Sequence, residues 1–103
     1  MKLDTINTSK FNEVLQNSGK AVVTFSADWC APCKMLTPTL EKLASQNPDV
    51  TIAKIIVDDN RELSEKMGVR SIPTTLFFKE GNLATRTIGN QSINYLQKMI
   101  NEL

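Results

Sequence analysis

Cys30 and Cys33 are the two cysteines of this 103-residue chain, and they stand in "SADWCAPCKML", residues 26 to 36, beside its single tryptophan, Trp29. Thiols at this spacing support three chemistries: a reversible dithiol/disulfide couple, two ligands of a metal site, or a fixed crosslink. A zinc-type site needs about four ligands, and the sequence has no histidine and no further cysteine. A fixed crosslink across so small a loop would restrict the unfolded chain little. The redox couple is the leading reading, with the other two as weaker alternatives.

A redox couple needs one sulfur that ionises readily, and the surrounding pattern places the motif where that happens. The run "AVVTFS", residues 21–26, is β-branched and aromatic, as are "TIAKIIV", 51–57, and "TTLFF", 74–78. These read as inner strands. "LATRTI", 83–88, alternates and follows "KEGN", where Gly81 suits the positive φ of a tight turn, so the last two strands form an antiparallel hairpin. "LDTI", 3–6, is a weaker outer strand.

Helical spacing fills the gaps. Phe11, Val14 and Leu15 form a face after Thr8 or Ser9 as N-cap, with Gly19 beyond the end. Leu36, Leu40 and Leu43 mark a longer helix starting near Ala31, which Pro38 should kink. Leu63 and Met67 mark a short helix, and Ile93, Leu96, Ile100 and Leu103 a terminal one. The order is β α β α β α β β α, an α/β architecture with helices on both faces of a mixed sheet. The cysteines then lie where an inner strand hands over to a helix. Cys30 faces unpaired amides of the first turn, which favour thiolate over thiol. Pro32 suits that turn because its missing N–H would have had no helical partner. One exposed thiolate can attack a substrate disulfide and the second can release the product.

Composition narrows the setting. The 103 residues fit a single domain, 1–103, that is 41% hydrophobic and 22% charged, with no linker, repeat or low-complexity run. A net charge of +1 without a basic cluster gives no footing for nucleic acid. The longest apolar runs are too short to span a bilayer. The polar start "MKLDTINTSK" lacks the apolar core of a secretory signal, and Met1 argues against a removed leader. The expectation is a cytoplasmic monomer in a reducing setting, where paired cysteines are seldom structural staples.

These residues resemble the thioredoxin family: "WCAPCK" resembles its active-site signature, "SIPTT", 71–75, its cis-proline segment, and "KEGN" and "TIGN" its later glycine-bearing turns. The resemblance runs through essentially the whole chain. It implies a thioredoxin fold, with a central mixed sheet of about five strands flanked by four helices. It further implies a protein-disulfide reductase with Cys30 as nucleophile, Cys33 as resolving thiol and no cofactor beyond that pair. Electrons would come from a thioredoxin reductase or equivalent donor and pass to oxidised protein substrates.

Pro73 would be cis against the two sulfurs, leaving the backbone of Ile72 for an extended substrate peptide. Trp29, Ala31, Pro32, Ile72, Pro73, Ile88 and Gly89 would form the apolar rim that receives partners. Met35 reads as core or rim filler. Three positions depart from the common family pattern: Ala31 for glycine, Ser26 for an aromatic, and Thr24 for a buried aspartate. A threonine hydroxyl cannot act as a base toward the resolving thiol near neutral pH, so the proton-relay position is altered. Lys54 would sit beside it without its acidic partner, or would be a surface lysine lying along a sheet edge. The competing functions are a disulfide oxidase or isomerase on the same fold, and a partner-binding subunit with idle thiols.

Overall fold

The computed structural model describes residues 3–103. Its elements are β1 (Asp4–Thr5), α1 (Thr8–Asn17), β2 (Lys20–Ser26), α2 (Ala31–Gln46), β3 (Thr51–Ile56), α3 (Arg61–Lys66), β4 (Thr74–Lys79), β5 (Asn82–Ile88) and α4 (Ile93–Asn101), with a 3-10 turn at Val57–Asp59. The strands form one sheet in the order β1-β3-β2-β4-β5, so the three β-branched and aromatic runs are its interior. β3 runs parallel to β1 and β2, and β4 antiparallel to β2 and β5.

Alternation along the strands divides the interior into two layers. Val22, Ile52 and Phe77 turn to the face covered by α2 and α4, where they pack with Leu36, Leu40, Leu43, Leu96 and Ile100. Val23, Phe25, Ile55, Leu76 and Phe78 turn to the opposite face and meet Phe11, Val14 and Leu63 of α1 and α3. Edge-to-face contacts of Phe11 with Phe25 and with Phe78 fill that second layer.

Several local expectations are corrected. The N-cap of α1 is Asn7, one residue earlier than expected, because its side chain accepts the Lys10 amide. Thr8 is already helical, and its amide and hydroxyl both donate to Asn60 Oδ1. The 3-10 turn was not foreseen. Pro38 lies inside α2, where it was expected. The β4–β5 hairpin turns, as expected, at Gly81, with φ of 80°, preceded by Glu80 at a positive φ of 51°. Gly81 is the constrained one, since a Cβ there would meet the Leu15 carbonyl oxygen at 2.9 Å.

Candidate active site

β2 ends at Ser26, and the chain turns through Ala27, Asp28 and Trp29 before α2 begins at Ala31. That handover makes Cys30 the N-cap of α2, with extended backbone and its sulfur accepting the Cys33 amide at 3.3 Å. A sulfur in this position receives an otherwise orphaned amide and lies at the positive end of the helix dipole, which favours negative charge there. Ala31 and Pro32 occupy the first turn and are exposed. The two sulfurs are bonded to one another, with Cα atoms 5.3 Å apart.

Both cysteines are buried, Cys30 at 6% and Cys33 at 3% exposure. The expectation of an exposed thiol is thereby corrected: Ala27, Val57 and Ile72 pack around the pair. The Ile72 carbonyl oxygen lies 3.9 Å from Cys30 Sγ. In the disulfide that sulfur has no proton to give, so this contact becomes a donor–acceptor pair only after reduction.

The Ile72–Pro73 peptide bond is cis. The Pro73 carbonyl accepts the Gly89 amide at 2.8 Å, and Thr74 pairs in register with Ile88. The two loops expected to flank the cysteines are therefore tied together. Trp29 stands 70% exposed and Ile88 58% exposed, so neither is core. Met35 is also exposed, which removes the core alternative for it. Trp29 Nε1 donates to Asp58 Oδ2 at 2.8 Å. Asp58 was missed by sequence reasoning because 29 residues separate the partners, and only the β2–β3 register brings them together.

Thr24 and Lys54 do not belong to the cysteine cluster. Thr24 is buried within the sheet, and its Oγ1 lies 2.8 Å from Thr75 Oγ1 on β4. Lys54 is its register partner on β3. It is half-buried and lies on an interior strand, with Thr5 of β1 on its other side, so the sheet-edge placement is corrected. Among the described residues, no group of three or more His, Cys, Asp or Glu is placed to hold a metal ion. Among the described residues, no helix is long and apolar enough to cross a membrane.

The arrangement can accept and give two electrons at the sulfur pair, next to the exposed Trp29. The Thioredoxin family model matches residues 2–102. A thioredoxin of Chlamydia pneumoniae is 43% identical over 97 residues, covering 94% of each chain. The oxidised mitochondrial thioredoxin 3 of Saccharomyces cerevisiae superposes with a TM-score of 0.89 at 33% identity, over 98% of this chain and 95% of that one. A further structure, of the thiol-resolving mechanism in yeast mitochondrial 1-Cys peroxiredoxin via glutathione/thioredoxin systems, matches at 32% identity and 0.89, over 98% of this chain and 95% of its own.

Proposed function

The chain belongs to the thioredoxin family and is a thiol-disulfide oxidoreductase that reduces protein disulfides, and we propose that Cys30 is its attacking thiol and Cys33 its resolving thiol. The observation that carries this assignment is the position of Cys30 as N-cap of α2, with its sulfur accepting the Cys33 amide. The same amide and helix terminus stabilise a Cys30 thiolate once the pair is reduced.

In the reaction, the Cys30 thiolate attacks one sulfur of a substrate disulfide, forming a mixed disulfide and expelling the other substrate sulfur as thiolate. Cys33 then loses its proton and attacks Cys30 Sγ. The Cys30–Cys33 bond forms, the mixed disulfide breaks, and the second substrate sulfur leaves. Two electrons have passed from the dithiol to the substrate, and the expelled thiolates take protons from Cys33 and solvent.

Trp29, Ala31, Pro32, Ile72, Pro73, Ile88 and Gly89 form the surface that receives the substrate in this reading. The exposed Trp29 and Ile88 and the Gly89–Pro73 link support it. The oxidised pair must be re-reduced to act again, so the reading includes a thioredoxin reductase or equivalent donor and a reducing, cytoplasmic setting. The similar chain in the yeast peroxiredoxin structure supports oxidised proteins with an accessible disulfide as substrates. A binding subunit with idle thiols is not favoured.

Incubation of the Cys33→Ser and Cys30→Ser variants with an oxidised protein substrate, followed by intact mass spectrometry, tests the roles. Cys33→Ser should accumulate a covalent adduct through Cys30, and Cys30→Ser should accumulate none. The reverse pattern would exchange the two assignments.

A further inference from the structure

The segment from Met67 to Pro73 joins α3 to β4 and carries Ile72, whose carbonyl oxygen lies 3.9 Å from Cys30 Sγ. Both ends of this segment are fastened from the β5 side. At the far end the Gly89 amide, just past β5, donates to the Pro73 carbonyl at 2.8 Å. At the near end Arg86 of β5 donates from Nη2 to the Met67 carbonyl at 2.9 Å and from Nη1 to the Gly68 carbonyl at 3.4 Å. Gly68 takes a φ of 72°, and a Cβ built on it would stand 3.7 Å from Nη1, so the guanidinium lies against the turn itself. Arg86 is the register partner of Leu76, a residue of the α1/α3 layer, and this places its side chain on the α3 side of the sheet.

The turn that ends α3 satisfies its own amides, with Met67, Gly68 and Val69 donating back to Leu63, Glu65 and Ser64. The Met67 and Gly68 carbonyls lie past the last helical residue, Lys66, and Arg86 serves both. A guanidinium suits that place: it is a fixed fork of donors that never loses its charge, and a cation is favoured at a helix C-terminus. Beyond the turn, Val69 packs on the α1/α3 layer and Ile72 packs against the cysteines, while Arg70 and Ser71 are exposed. So short a stretch between Gly68 and Ile72 has little slack, and a displacement at its start passes to the backbone beside Cys30.

We propose that Arg86 is a positioning residue for the substrate-receiving loop: by holding the Met67 and Gly68 carbonyls it keeps the Ile72 backbone preset for an extended peptide beside Cys30. The inference rests on the reading that Ile72 and Pro73 receive the substrate. Arg86 bonds to the loop backbone and acts through it. A loop already in its binding shape spares the peptide the cost of ordering it, so the bridge raises the rate at which peptide-borne disulfides react. The intrinsic reactivity of Cys30 is set elsewhere, by its N-cap position and the Cys33 amide.

The test compares reduced wild type with Arg86→Met, which keeps an aliphatic stem and removes the donors. Each is mixed with two uncharged disulfides that expel the same chromophore, thiopyridone: a short extended peptide carrying a pyridyl disulfide on its cysteine, and dipyridyl disulfide, which has no peptide backbone. In both reactions Cys30 attacks one sulfur and the better leaving group departs. Arg86→Met should react roughly 3- to 10-fold more slowly with the peptide, as expected when hydrogen bonds from a charged group are lost at a partly exposed site. It should react with dipyridyl disulfide at the wild-type rate. A residue that only stabilised the fold would lower the melting temperature and leave the ratio of the two rates unchanged, and that result would overturn the proposal. Equal slowing of both reactions would also overturn it, by showing a general distortion of the site. Amide spectra of Cys33→Ser with the peptide trapped on Cys30 keep the two possible failures apart. Trapping should shift the Ile72 and Gly89 amides. If neither moved, the reading that this loop receives substrate would fail, and this inference with it; if both moved while the rate ratio stayed the same, the role of Arg86 alone would fail.

Discussion

The two faces of the sheet are built from the same strands for different purposes. On the α1/α3 face, β2 presents Ala21, Val23 and Phe25, β4 presents Leu76 and Phe78, and the aromatic contacts of Phe11 complete an apolar layer. On the α2/α4 face, the same two strands present Val22 and Phe77 at one end but Thr24 and Thr75 at the other. Burial of apolar area stabilises the first face along its whole length. The second surrenders some of that stabilisation where the strands run beneath the cysteine turn. Both faces hold the fold, but the second carries buried hydroxyls at its end where the first stays apolar.

The comparison breaks most sharply at Cys30. Cys30→Ser should reduce protein-disulfide turnover to the uncatalysed background while leaving the circular-dichroism spectrum intact, since the α1/α3 layer is untouched. Retained turnover would show that the chemistry lies elsewhere. The complementary change is Phe25→Ala, which empties a fully buried position on the apolar face. It should cost about 3 to 5 kcal/mol in urea unfolding, yet each molecule that remains folded should form and resolve mixed disulfides at the wild-type rate.

A smaller effect is expected at the rim of that same face. Gly81→Ala places a Cβ against the Leu15 carbonyl at a positive φ of 80°, and should cost about 1 to 3 kcal/mol. Its reductase activity at low temperature should be unchanged. The smallest is Trp29→Phe, which removes the exposed bond to Asp58. It should shift stability by less than about 1 kcal/mol, so any larger consequence would appear in the rate of mixed-disulfide formation. A large loss of stability instead would place Trp29 among the residues that hold the fold.

Much of this division was legible in the sequence where a pattern is local. The cysteine spacing, the β-branched runs and the helical stripe of Leu36, Leu40 and Leu43 all read correctly, because strand and helix periods are properties of neighbouring residues. The N-cap of α1 was misplaced because Asn7, Thr8 and Ser9 are all competent caps, and the choice was made by Asn60, which occupies Thr8. Asp58 and Thr75 were invisible for a related reason. Each meets its partner, Trp29 or Thr24, only through strand register, 29 and 51 residues away along the chain. Thr24 could be marked as unusual from the sequence, but its hydroxyl partner could not. The burial of Cys30 was likewise set by Ile72 and Val57, which arrive from separate loops.

Equilibration of the purified protein in glutathione buffers of graded redox poise, with acid quenching and thiol alkylation before mass spectrometry, tests most directly whether the Cys30–Cys33 pair is an electron donor to proteins. A reductase must hold its electrons less tightly than its substrates will, so the pair should be almost wholly disulfide in any buffer containing appreciable oxidised glutathione and become dithiol only under strongly reducing conditions. A pair that remained dithiol in mildly oxidising buffers would be an acceptor of electrons, and would contradict the account.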